Sequence, residues 1–189
     1  MLRNLMKEAL IPIAVAVALA FLIQAAVAKP YEIPTPSMEP TIKVNDRVIA
    51  NRLIYKVRDI RRGDIVVFQP TAAARASCPG SGSPDVPFVK RVIGLPGDRV
   101  TIQQGHRDVI VNGKSFDVAA ARINPAQGIT GSLAERTFQV PPGKIFVLGD
   151  NRPASCDSHQ WSDPYVPEGN VIGQAEVTYW PLRHVKFLN

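Results

Sequence analysis

A chain of 189 residues with a formal net charge of +6 has room for one folded domain, or for one domain plus a membrane-spanning segment. The positive charge does not mark a nucleic-acid binder, because the basic residues are not interleaved with aromatics and the chain reads as exported. Its two cysteines, Cys78 and Cys156, suit an oxidising compartment and can form one disulfide.

Residues 9–28 are an apolar run without a charge, long enough as a helix to cross a bilayer. Pro12 is tolerable near its first turn. Arg3, Lys7 and the free amine precede the run, which predicts a cytoplasmic N-terminus and translocation of the chain beyond residue 28. A cleavable secretory signal ending in Ala26-Val27-Ala28 is the competing reading; the length of the run favours a retained anchor. Either way the rest of the chain is large enough for a hydrophobic core.

Just beyond the run stands PTPSMEPTI, residues 34–42, with Thr35 and Ser37 hemmed in by Pro34, Pro36 and Pro40. The prolines fix φ at their own positions and push residues 35 and 39 towards extended conformations. One reading is a stiff spacer. The other is a serine held in defined geometry as a nucleophile, with the Thr35 side chain and the Ser37 N–H as oxyanion donors.

A basic cluster comes next: Arg47, Arg52, Lys56, Arg58, Arg61 and Arg62. It reads equally as a solvated face or as a surface drawn to anionic lipid headgroups. Short β-branched runs broken by turns predict strands over 47–51, 64–69, 88–93, 99–103, 108–111, 144–148 and 171–179. Asn112-Gly113 is a hairpin turn signal, and residues 49–57 can hold a short helix. The fold class expected is therefore mainly β, an antiparallel-sheet core preceded by one N-terminal transmembrane helix. Residues 71–87, 119–135 and 151–167 resist regular structure. The last is dense in Ser, Asp, Cys, His and Trp, and loops of that composition on a rigid sheet often carry function.

A nucleophilic serine needs a base. Among the histidines, His106, His159 and His184, a triad of Ser37, His159 and Asp157 is conceivable. The other candidate is Lys90 in PFVKRVIGLPGD. On a strand over 88–93 it shares a face with Phe88 and Val92, while Val89, Arg91 and Ile93 share the other. A lysine on an apolar face loses hydration, which lowers its pKa and lets it act as a neutral base; an exposed lysine on an edge strand is the ordinary alternative. In GDNRPASCDSH, residues 149–159, Ser155 is placed to hydrogen-bond such a base and Asp157 to brace the loop. A metal site of Cys156, Asp157 and His159 lacks the usual ligand spacing. A carboxylate pair of Asp150 and Asp157 is equally weak, since Gly-Asp-Asn is ordinary turn chemistry.

Taken in order, the apolar run, PTPSMEPTI, RRGDIVVF, FVKRVIGLPGD and GDNRPASCDSH resemble the bacterial type I signal peptidases. The resemblance implies Ser37 as nucleophile, Lys90 as general base, and Thr35 with the Ser37 N–H in the oxyanion hole. It implies Ser155 as the residue orienting the lysine, Asp157 as the brace, and Ile33, Met38, Val67 and Val89 near shallow apolar pockets for small residues. His159 stands where many members carry Arg. Cys156 stands where a small residue is usual, so a bond to Cys78 would pin the catalytic loop to residues 71–87.

The organisation expected is a cytoplasmic stub over 1–8, an anchor over 9–28, a catalytic β core over 29–97 and 144–189, and an accessory β region over 98–143. The activity implied is a membrane-anchored serine endopeptidase that removes signal peptides from preproteins after small residues at −3 and −1. No metal or cofactor is implied. The partners are preprotein signal peptides, membrane lipid and the nearby export machinery, with the catalytic domain on the extracytoplasmic side of the cell membrane. The alternatives are a non-catalytic membrane-tethered β domain that binds exported chains, a secreted binding protein cut after Ala28, and a Ser-Lys protease dedicated to itself or one partner.

Overall fold

The computed structural model describes residues 10–16, 27–80, 85–102, 109–116 and 135–188. The large sheet contains β1 (Ala28–Glu32), β2 (Arg47–Asn51), β3 (Ile65–Phe68), β4 (Phe88–Gly94), β9 (Lys144–Leu148), β10 (Val166–Pro167), β11 (Val171–Trp180) and β12 (Lys186–Phe187). Its order is β1-β2-β11-β3-β4-β9-β10, with β12 against β11, and every pairing is antiparallel. Between β4 and β9 the chain builds a second antiparallel sheet from β5 (Arg99–Ile102), β6 (Val109–Val111), β7 (Lys114–Phe116) and β8 (Arg136–Gln139), in the order β7-β6-β5-β8. The protein is thus mainly β.

Local chemistry explains the strongest elements. All four residues of β3, Ile-Val-Val-Phe, are buried, as expected of a strand covered on both faces. Asn112 and Gly113 both have positive φ, +52° and +78°, the twist a tight β6–β7 hairpin needs. The two sheets share a core in which Ile93, Phe146 and Leu148 meet Val100, Val109 and Phe138. Gly94 is required at that crossing: a Cβ there would lie 2.7 Å from Val100 and 2.8 Å from Val140.

Strands expected over 47–51 and 144–148 have those bounds, those over 88–93 and 171–179 run one residue further, and that over 64–69 is one residue shorter at each end. Residues 103 and 108, the outer ends of two further expectations, lie outside the described residues. The segment 71–87 is a correction. Its composition predicts no regular structure, yet Ala72–Ser77 is a helix (α2; α1 is Ile54–Val57), because Thr71 caps it by accepting the Ala74 N–H and alanine favours helix. Of the loop expected over 119–135, only Glu135 is described.

No helix among the described residues is long and apolar enough to cross a membrane. Residues 10–16 are helical and exposed, whereas residues 9 and 17–26 of the expected anchor lie outside the described residues. Ala28, placed by sequence at the end of that anchor, instead begins β1 and pairs with Asn51.

Candidate active site

The segment 34–42 is anchored at both ends. Ile33 exchanges backbone bonds with Asp46 and Asn45, and Ile42 N–H donates to the Met38 carbonyl. Between them Pro36–Met38 forms one 3-10 turn, flanked by extended Thr35 and Glu39. The prolines thus impose the extended flanks, while the serine itself sits in the turn. Ser37 and Met38 are buried, and Thr35 is exposed. The Thr35 and Ser37 hydroxyl oxygens lie 3.2 Å apart.

The side chain that meets Ser37 is Lys90, whose Nζ donates to Ser37 Oγ at 2.6 Å. β4 is an interior strand between β3 and β9, so Lys90 does not stand on a sheet edge; it is 5% exposed. Its Nζ lies 5.9 Å from the centre of the Phe88 ring, a neighbour on the same strand face. Burial pushes the Lys90 pKa down from 10.5 to about 8, against the charges of Asp157 and Asp150, which raise it.

The loop from Gly149 closes over this pair. Asn151 donates its backbone N–H to the Ser37 carbonyl and its side-chain amide to the Pro36 carbonyl, both at 3.0 Å. Asp157, fully buried, accepts the Gly149 N–H at 2.9 Å and meets His159 Nδ1 at 2.5 Å. Burial alone would raise the Asp157 pKa, but His159 and the Gly149 bond, with a smaller contribution from the Ser155 hydroxyl, outweigh it and hold the carboxyl below its ordinary value. Asp150 makes a two-pronged ion pair with Arg91 at 2.8 and 2.6 Å, nearly free of solvent. Asp150 is thus charge-compensated.

Ser155 is buried, and its Oγ makes no hydrogen bond of good geometry among the described residues. It packs against Gly149, where a Cβ would lie 2.1 Å from Ser155 Oγ and 2.4 Å from the Ser37 carbonyl. Gly149→Ala should therefore cost about 1–3 kcal/mol in urea unfolding through overpacking and slow catalysis by displacing Ser37. An alanine variant with unchanged stability and activity would show that the loop yields freely. Sequence alone marks Gly149 only as turn chemistry and gives no sign of this close approach.

The histidines are engaged elsewhere. His159 lies between Asp157 and the Gln160 amide, and His184 bonds Asp46; His106 is outside the described residues. The sulfur of Cys156 is taken by a disulfide to Cys78, which ties the end of α2 to the Gly149–His159 loop. Spanning 78 residues of sequence, that bond stabilises by about 4–5 kcal/mol in chain-entropy terms.

Beside Ser37 opens a groove of about 260 Å³. Tyr31 to Thr35 with Ser37 line it from one segment of the chain and Val86 to Lys90 from another, and Cys78, Pro79 and Cys156 also contribute to its lining. Ile33, Met38 and Val89 line it; Val67 does not, lying fully buried in the core that Ile33 and Met38 share. The register explains this, since Val67 pairs with Val89 but belongs to a strand buried on both faces. Tyr31, Phe88 and the disulfide also line the groove, and no sequence motif marks them as lining residues. Tyr31 owes its place to β1, an edge strand that carries no alternating pattern.

A family model described as signal peptidase, peptidase S26, matches residues 6–180 of the chain. Among curated relatives, a probable signal peptidase I-2 of Synechocystis is 43% identical over 92% of this chain and 72% of its own length. A signal peptidase I of Leptolyngbya laminosa is 39% identical, over 95% and 82% respectively. A solved signal peptidase I from Enterococcus faecalis superposes with a TM-score of 0.44 at 27% identity, covering 62% of this chain and 97% of that one.

Proposed function

The chain belongs to the signal peptidase family, peptidase S26, a type I signal peptidase and hence a serine endopeptidase, and from that premise we propose that it cuts preproteins with a Ser37–Lys90 dyad while anchored in a membrane. The observation that carries the reading is the 2.6 Å contact between Ser37 Oγ and a desolvated Lys90 Nζ.

The mechanism builds on that geometry. A signal peptide lies extended in the groove, pairing its backbone with a wall of it, as strand addition allows. Small residues at −3 and −1 face Ile33, Met38 and Val89. Neutral Lys90 takes the Ser37 proton as Oγ attacks the carbonyl carbon of the −1 residue. The Ser37 N–H and the Thr35 hydroxyl, which must turn towards the substrate, hold the oxyanion. Charged Lys90 then gives its proton to the leaving amine, and water, deprotonated by Lys90, hydrolyses the acyl-enzyme. Ser155, whose Oγ makes no hydrogen bond of good geometry among the described residues, must turn its hydroxyl to Lys90 to keep the ammonium in line, and Asp157 holds the loop through Gly149. The apolar residues that precede β1 anchor the chain, with the catalytic domain on the extracytoplasmic side near the export machinery.

The sign of the pH dependence is set by Lys90. Below its pKa of about 8 it is protonated and inert as a base, so kcat/KM for a signal-bearing peptide should rise with pH through that value and level off above it. Ser37→Ala should remove cleavage at every pH, and His159→Ala should keep much of it. A profile that is flat across this range, or that tracks His159 instead, would sink the dyad.

A further inference from the structure

Proline rigidity leaves one motion of the nucleophile segment unchecked, and a residue on another loop checks it. The ring of Pro36 locks its own φ, but the ψ of Pro36 and the φ of Ser37 stay soft. Opposite changes in those two angles tilt the Pro36–Ser37 peptide plane while the chain on either side stays in place. That plane carries the Ser37 N–H, the backbone donor of the oxyanion hole. In a trans peptide the N–H points away from the C=O, so the bonds that hold the Pro36 carbonyl set the direction of the Ser37 N–H.

The Pro36 carbonyl accepts two such bonds. One is local, from the Glu39 N–H at 3.0 Å. The other crosses from the Gly149 loop, where Asn151 Nδ2 donates at 3.0 Å. A carbonyl only accepts, so chemistry requires the amide nitrogen, not its oxygen, to face it. The Asn151 backbone N–H takes the next carbonyl, that of Ser37, also at 3.0 Å. One residue thus grips consecutive carbonyls on either side of the nucleophile's Cα.

The grip has a rigid base. Asp150 is locked to Arg91 by two bonds. Gly149 gives its N–H to Asp157 at 2.9 Å, and its carbonyl accepts Arg152 Nε at 3.0 Å. Asn151 is not among the described residues that line the groove, so it acts on the reaction only through the serine segment.

We propose that Asn151 is a positioning residue for the oxyanion hole: its side-chain amide holds the Pro36–Ser37 peptide plane so that the Ser37 N–H meets the oxyanion as charge develops. A donor aimed in advance needs no reorganisation in the transition state. The same bond polarises the peptide group and strengthens the N–H at its other end. The inference rests on the reading of Ser37 as nucleophile.

Asn151→Ala removes the side-chain bond, and Asn151→Asp, of the same size, turns an acceptor towards the Pro36 carbonyl. Both keep the backbone bond to Ser37, and Asn151 is half-buried, so urea unfolding should find both folded. Deleting an oxyanion donor costs about 10²–10³-fold in kcat; a donor left in place but free to tilt should cost about tenfold, and more in Asn151→Asp. KM should not change. A peptide boronic acid with alanine at −1, which Ser37 Oγ converts to a tetrahedral anion, should bind more weakly by the factor lost in kcat. The product peptide ending at the same alanine, which stays trigonal, should bind as it does to the wild type. Asn151→Ala should keep the pH–rate midpoint near 8, because the lost amide carries no charge.

Unchanged kcat in both variants overturns the positioning role. So does a raised KM with kcat intact, or equal weakening of boronate and product peptide, either of which assigns the effect to the shape of the groove. A displaced midpoint in Asn151→Ala overturns it in favour of an effect on Lys90. Boronate binding at full strength in Ser37→Ala defeats the nucleophile reading and the positioning role together. Binding lost in Ser37→Ala but untouched in both Asn151 variants defeats the positioning role alone.

Discussion

Lys90→Met should abolish cleavage and yet stabilise the protein at neutral pH. Removing a general base costs about 10²–10⁴-fold in rate, and among the described residues no other side chain bonds Ser37 Oγ except Thr35. The stability gain comes from linkage. The Lys90 pKa falls from 10.5 to about 8 on folding, so between those values the unfolded chain binds more protons and stability rises with pH. Below pH 8 both states are protonated, and the folded state carries the whole cost of a buried ammonium. A difference of 10.5 − 8 corresponds to about 3 kcal/mol, offset by about 1 kcal/mol for the lost bond to Ser37. Methionine fills the same stem volume without a charge, so urea unfolding at pH 7 should show a more stable variant. Near pH 10.5 the advantage should be gone. A methionine variant that is less stable at pH 7 would mean that Lys90 is well solvated or well paired in the folded state, and one that is still active would mean that Lys90 is not the base.

Asp150→Ala should have the opposite effect and a larger one. Arg91 and Asp150 are 4% and 2% exposed and share two short bonds. Alanine leaves a guanidinium in the core with, among the described residues, only the Gly63 carbonyl, a loss of about 3–5 kcal/mol. The double variant Arg91→Met/Asp150→Leu should recover most of it, because two apolar side chains leave no charge stranded. Chemical denaturation of both variants and the wild type decides this, and a double variant as unstable as the single one would assign the loss to packing. The pair also bears on catalysis. The Asp150 charge raises the Lys90 pKa, so any active Asp150→Asn enzyme should show its pH–rate profile displaced towards acid.

Much of the framework is legible along the chain because its signals are local. β2 and β9 hold β-branched or aromatic residues in short runs, and Asn112-Gly113 favours positive φ. Lys90 stands among apolar residues on a short run. The elements that escape such reading lack these signals. β1, Ala-Lys-Pro-Tyr-Glu, has no alternation and becomes a strand only because β2 supplies hydrogen-bond partners. β10 and β12 are two residues each. α2 lies in a segment whose glycines and prolines come after the helix has ended, so average composition conceals a capped turn of alanines.

The chemistry divides along the same line. Residue types and order alone single out the serine, the lysine and the support loop, since a stiff Pro-flanked hydroxyl, a lysine on an apolar strand and a Ser-Asp loop are each readable in a few residues. What makes the lysine a base is not local. Its lowered pKa comes from desolvation, which requires β3 and β9 on either side of β4 and the Gly149 loop above. The contact with Ser37 joins residues 53 apart, and the Arg91–Asp150 pair residues 59 apart. Periodicity assigns a residue to a face, but burial and distance belong to the packed molecule, and those two quantities determine whether an amine at neutral pH is a surface charge or a catalyst.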